Sequence, residues 1–107
     1  MKINQYEIAL VNLEPTLGSE INKTIPCVVI SPDEMNHHLR TIVIAPITST
    51  LKNYPTRINL DSGQIKGMIA LDQLRTIDKQ RIVRIIGVVE IETVAQLKKI
   101  IEETYVK

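Results

Sequence analysis

Short apolar runs broken by polar turns fill most of the chain. Tyr6 to Leu13 is mostly apolar and reads as a strand. A polar stretch from Asn12 to Pro26 follows, and Cys27 to Ser31 forms a second apolar run. Ser31 suits a helix cap and Pro32 the first helical position, so a short helical turn is expected there. Arg40 to Ala45, β-branched at Thr41, Ile42, Val43 and Ile44, is a third strand that Pro46 stops or kinks. Thr56 to Leu60 alternates polar and apolar, which marks a half-buried strand. Asp61-Ser62-Gly63 is a turn signal before the short apolar strand Gly67 to Leu71. Asp72 to Thr76 leads into a basic segment, with a helical turn over Asp78 to Arg81. Arg84 to Val89 is the last strand.

From Glu90 the period changes. Val94, Leu97, Ile100, Ile101 and Thr104 recur at helical spacing, with Lys98, Lys99, Glu102 and Glu103 on the other face. This predicts one amphipathic helix from about Glu92 to Tyr105. Five or six short strands followed by one helix predict a mainly β fold: a small, curled antiparallel sheet or barrel with the helix packed on it.

Composition narrows the reading. At 107 residues the chain reads as one domain with a single modest core. There are three Tyr, no Phe and no Trp, so Ile, Val and Leu must build that core. The shortage of aromatics also argues against an RNA-stacking platform. A net charge of +1 gives no global pull on a polyanion, so a nucleic-acid partner would need a local basic patch. The single cysteine, Cys27, cannot build a disulfide framework or a metal cage, which fits a reducing cytosol. With no signal-like N-terminus and no window near the roughly 18 apolar residues of a membrane span, the expectation is a cytoplasmic chain without a membrane partner.

Candidate chemistry is sparse on residues alone. His37 and His38 are adjacent, so they point apart and cannot serve one substrate together; they read as solvated loop residues. Cys27 reads as core. Gly18-Ser19-Glu20 is too short for a phosphate-binding glycine loop. The hydroxyls of Thr48, Ser49 and Thr50 either satisfy loop backbone or donate to a phosphate. Arg75 follows the polar pair Asp72-Gln73 at a strand end, where side chains converge. The polar stretch from Asn12 to Pro26 is long for so small a domain, as functional loops are.

Three stretches in series carry a resemblance. The first is Glu7-Ile8-Ala9-Leu10-Val11-Asn12-Leu13-Glu14-Pro15-Thr16-Leu17-Gly18-Ser19-Glu20 with Lys23-Thr24-Ile25-Pro26-Cys27-Val28-Val29-Ile30-Ser31. The second runs from Arg40 to Ser49, and the third is Ile69-Ala70-Leu71-Asp72-Gln73-Leu74-Arg75-Thr76-Ile77-Asp78-Lys79. Together they closely resemble the MazF/PemK (Kid) family of toxin endoribonucleases. The resemblance implies an SH3-like barrel with a C-terminal helix, and a homodimer whose groove takes single-stranded RNA. It implies cleavage without a metal or cofactor, by attack of the 2′-hydroxyl on the adjacent phosphate. It also implies a cognate antitoxin whose C-terminal tail occupies the RNA groove, and operator DNA bound only through that antitoxin.

Residue by residue, the resemblance places Gly18, Ser19 and Glu20 on the groove wall, with Lys23 beside them. It gives Thr48 the scissile phosphate, with Ser49 and Thr50 following it, and it puts Asp72, Gln73 and Arg75 in the groove. Arg40 begins the strand that carries Thr48, and together with Lys23 it is a candidate replacement cation. The chief departure is Ile25, which stands where members usually carry the arginine held to move the proton and stabilise the phosphorane. Removing one such donor costs about 100- to 1000-fold. The expectation is therefore an impaired ribonuclease, with a catalytically inactive RNA- or antitoxin-binding module as the alternative. Milder departures are Gln5-Tyr6 in place of Arg-Gly, and Ala9 in place of Tyr or Trp.

Overall fold

The longest strand, β3 (Thr41–Thr48), pairs with three others. A computed structural model describes residues 1–13 and 24–106 of the chain. The other strands are β1 (Glu7–Asn12), β2 (Thr24–Val29), β4 (Arg57–Asp61), β5 (Lys66–Ala70), β6 (Arg75–Asp78) and β7 (Ile82–Val88). The helices are α1 (Asp33–His38) and α2 (Ile91–Ile101), with 3-10 turns at Leu71–Gln73 and Lys79–Arg81. All pairings are antiparallel, in the order β4-β5-β3-β2-β1-β7, with β6 on β3. Among the described strands no pairing joins β4 to β7, so the seven-stranded sheet is not closed.

Along β3 the partner changes. Thr41 to Ile44 face Asp78 to Arg75 of β6, Ile44 to Pro46 face Val29 to Cys27 of β2, and Ile47 and Thr48 face Ile69 and Met68 of β5. Pro46 does not stop this strand. It lies between the last β6 partner at Ile44 and the first β5 partner at Ile47, a gap in the ladder that tolerates a residue without an N–H.

The sheet formed by β1, β2 and β3 is buried on both faces, which is why its strands read as continuous apolar runs. Ile8, Val28, Ala45 and Ile47 point towards Ile58, Leu60 and Ile69 of the β4–β5 hairpin and towards Leu97 of α2. Their neighbours Ala9, Val11, Cys27, Val29, Ile42 and Ile44 point the other way and pack with Ile3, Ile77 and Ile82. The helix ends at Ile101, short of the expected Tyr105, and the chain continues in a single π turn, Glu102–Val106. The Tyr105 hydroxyl there donates to Leu71 O at 2.6 Å, which ties the helix end to the start of the first 3-10 turn.

Two local expectations are corrected. Ser31 does not cap α1; the N-cap is Pro32, without a side-chain hydrogen bond. The Ser31 hydroxyl instead accepts from Val43 N at 2.9 Å and donates to Asn36 Oδ1 at 2.5 Å, in a buried polar link between α1 and β3. The basic segment contains a strand, β6. Its one buried apolar residue, Ile77, pairs with Ile42, and the free side of β3 supplies the ladder that composition did not announce.

Candidate functional site

A cleft of about 380 Å³ opens where β1 ends and β2 begins, lined by Leu13, Ile25, Ile44, Pro46, Gln73, Leu74 and Arg75. Strand alternation builds its floor: Ile44 and Pro46 are two residues apart on β3, so they share a face. Arg75 stands opposite Ile44 across the β3–β6 pairing, exposed, with its charge on that same side. The β2–β3 register ends with Cys27 opposite Pro46. Ile25 lies two residues before that last pair on β2 and Thr48 two residues after it on β3, so both stand beyond the end of the pairing, at the same end of the sheet.

Thr48 is half-buried, and its Oγ1 accepts from Thr50 N at 3.0 Å. Its own O–H therefore remains to donate elsewhere. Behind it, β5 approaches so closely that a Cβ on Gly67 would lie 2.6 Å from Thr48 O. Ser49 and Thr50 are exposed just beyond the end of β3.

The other expected residues divide into three groups. Gln73 and Arg75 line the cleft, as does Ile25. Asp72 does not; its carboxylate is taken up by Arg57, at 2.7 Å from Nε and 3.1 Å from Nη2, and by the Thr56 hydroxyl at 2.9 Å. These bonds hold the Asp72 carboxyl down at about 2, against the cost of its partial burial. Arg40 lies before the start of β3, eight residues and roughly 26 Å of strand from Thr48. It stands 4.0 Å from Asp78 and 85% exposed. Gly18, Ser19, Glu20 and Lys23 fall outside the described residues.

Cys27 is fully buried, and burial pushes its thiol up to about 12, with the Arg75 charge opposing that rise only in part. The histidines are exposed as expected but sit on α1 rather than in a loop. His37 Nε2 lies 2.9 Å from Asn4 Oδ1, and His38 Nδ1 2.9 Å from Glu34 O. Among the described residues no group of three or more His, Cys, Asp or Glu is placed to hold a metal ion. No described helix is long and apolar enough to cross a membrane.

Arg57 escaped the sequence reading. The turn at Asp61-Ser62-Gly63 was the available signal, because it folds β4 on β5 and sets Arg57 opposite Ala70, two residues from Asp72.

The site is thus a cation-bearing cleft beside the β1–β2 connection of an open antiparallel sheet that is followed by a C-terminal helix. The chain belongs to the family of PemK-like, MazF-like toxins of type II toxin–antitoxin systems, whose model it matches over residues 4–105. The endoribonuclease MazF of Staphylococcus epidermidis is 31% identical over 86 residues, which cover 75% of this chain and 72% of that protein. Crystalline MazF of Deinococcus radiodurans superposes with a TM-score of 0.83 at 20% identity, covering 100% of this chain and 99% of that one. A mycobacterial endoribonuclease, solved with its cognate antitoxin, superposes with a TM-score of 0.79 at 19% identity, covering 94% and 92%. At these identities the two structures establish a shared fold.

Proposed function

We propose that this chain is the endoribonuclease toxin of a toxin–antitoxin pair, that its cleft takes single-stranded RNA, and that Ile25 slows its cleavage. The observation that carries the reading is the cleft in which Ile25 meets Gln73 and Arg75, beside the end of β3 that carries Thr48. A phosphodiester in this cleft meets the Thr48 hydroxyl at one end and the Arg75 guanidinium at the other. Its base lies against Leu13, Ile44, Pro46 and Leu74, within reach of the Gln73 amide.

The reaction is a transesterification that requires no metal. The 2′-hydroxyl gives up its proton as its oxygen bonds to phosphorus, the bond from phosphorus to the 5′-oxygen breaks, that oxygen takes up a proton, and the 2′,3′-cyclic phosphate remains. Charge develops on the non-bridging oxygens as the phosphorane forms, and donors aimed there are worth the most. Thr48 and Arg75 supply two donors. Ile25, which lines the cleft, supplies none, and no proton can pass through it. Gly18, Ser19, Glu20 and Lys23 extend the RNA-facing wall, and Ser49 and Thr50 continue it past Thr48.

The working form is a cytoplasmic homodimer, and the C-terminal tail of a cognate antitoxin competes with RNA for the cleft. Operator DNA is reached only through that antitoxin. The reading is tested with an oligoribonucleotide carrying a 2′-deoxy sugar at the scissile position, which binds but cannot be cut. The chain should bind it, and Arg75→Ala should weaken binding and lower the salt slope by about one phosphate contact. Failure to bind RNA at any salt, with antitoxin affinity retained, would leave a protein-interaction module. Ile25 favours a second reading of the same cleft: it binds RNA or antitoxin without cutting.

A further inference from the structure

The 3-10 turn that delivers Gln73 and Arg75 to the cleft is three residues long, Leu71–Gln73. So short a turn has little stability of its own, yet this one is fixed from four directions. The Leu71 side chain is fully buried, its N–H donates to Thr56 O at 3.0 Å, and its carbonyl accepts from the Tyr105 hydroxyl at 2.6 Å. The Asp72 carboxylate accepts both Arg57 bonds and the Thr56 hydroxyl. The Arg57 side chain is only 6% exposed, and its guanidinium carbon lies 5.2 Å from the centre of the Tyr54 ring. Two parallel bonds from the covered Arg57 fork fix the plane of the Asp72 carboxylate, which is itself about a third exposed, in a way that a single-point ion pair does not.

We propose that Arg57, Asp72 and Thr56 form a positioning clamp that holds Gln73 and Arg75 in register with the cleft, and that Asp72 does not itself touch RNA. The inference rests on the RNA-binding reading above and assigns Asp72 a different task from the groove contact its family position implies. Gln73 follows Asp72 directly within the turn, and Arg75 lies three residues on as the first residue of β6, so a tilt of the turn moves Gln73 and pulls on the start of the strand that carries Arg75. Misplacement by about 1 Å can cost on the order of 100-fold in a positioned site. Asp72 is also poorly suited to proton transfer near neutral pH, because its carboxyl is held at about 2 with its oxygens already engaged.

A coupling cycle tests the clamp. The Kd for the 2′-deoxy-substituted oligoribonucleotide is measured at low salt for the wild type, Asp72→Asn and Arg57→Lys, and for each in a Gln73→Ala, Arg75→Ala background. Lysine keeps the charge at position 57 but loses the fork. Each single change should weaken binding on the order of tenfold, the scale of one charge-assisted contact. In the background, each should change Kd by less than about twofold, because the groups the clamp positions are gone and twofold is the scatter within which independent sites add.

A full tenfold effect that persists in the background overturns the clamp, because Asp72 would then act on RNA directly. An unchanged Kd in the folded single variants overturns it as well. Thermal melting shows whether Asp72→Asn folds; if it does not, Arg57→Lys carries the same cycle to the same two outcomes. A wild type that binds no RNA overturns the functional reading first and the clamp with it, a result distinct from either of these.

Discussion

Gly67 is the position where one added methyl group reaches the candidate site. It is partly buried in β5, beside the end of β3. A Cβ built there lies 2.6 Å from Thr48 O and 3.0 Å from Ile47 Cγ2. The first contact is with backbone, which cannot swing aside, so β3 and β5 must separate by several tenths of an ångström. Overpacking of this kind costs about 1–3 kcal/mol. Alanine recovers roughly 0.5–1 kcal/mol through its lower chain entropy, so Gly67→Ala should be destabilised by about 1–2 kcal/mol.

Gly87 is the internal control. A Cβ there meets nothing closer than Ile8 Cδ1 at 3.7 Å, so Gly87→Ala should be neutral or stabilised by up to about 1 kcal/mol. Urea denaturation of the three proteins measures the differences, and a 1 kcal/mol loss corresponds to roughly 4–8 °C in Tm. Gly67→Ala should also weaken binding of the uncleavable RNA, because Thr48 moves with the carbonyl. Equal stability of the Gly67→Ala and Gly87→Ala proteins would refute the close approach, and with it the idea that β5 sets the position of Thr48.

Three further outcomes follow from single residues. Tyr6 sits at φ 68°, a left-handed conformation that costs a side-chain-bearing residue about 1–2 kcal/mol. Tyr6→Gly should therefore be more stable than Tyr6→Ala by about 1 kcal/mol, the reverse of the usual order, as thermal melts of the pair will show. Asp72 is depressed to about 2, so its contribution to stability is present above its unfolded value of about 3.9 and is lost as pH falls through 2. Asp72→Asn should flatten the stability profile between about pH 4 and 2 and leave its shape unchanged above, read from acid titration of the melting temperature. Cys27 is buried with its thiol raised to about 12, so iodoacetamide at pH 8 should label it only after denaturation; rapid labelling of the native chain would contradict its burial.

Much of the fold was legible because this sheet is covered on both sides. Ile8 to Val11, Cys27 to Ile30 and Ile42 to Ala45 are apolar without interruption, and that pattern marked three strands directly. The helix announced itself through Val94, Leu97, Ile100 and Ile101, although its last turn widened where Tyr105 reaches for Leu71. β6 was hidden because Arg75-Thr76-Ile77-Asp78 has one apolar residue and becomes a strand only against β3. Pro46 misled because a local rule about N–H groups does not reveal that β3 changes partners at that point.

The candidate site was legible in its parts but not in its assembly. Thr48, Gln73 and Arg75 stood out as polar groups at strand ends. Only the structure revealed that Ile25 shares a cleft with Gln73 and Arg75, that Arg40 is at the far end of the strand, and that Asp72 turns away to Arg57. Arg57 belongs to a pairing made across a hairpin, so nothing local to Asp72 announced it.

The central claim is that this cleft is an RNA-cleaving site limited by the apolar side chain at position 25. It is tested most directly by incubating the chain and its Ile25→Arg variant with one long unstructured RNA in EDTA. The account predicts that Ile25→Arg cuts at least about 100-fold faster than the wild type, the scale of one restored transition-state donor. Equal rates for the two proteins, or loss of all cutting when EDTA is added, would contradict it.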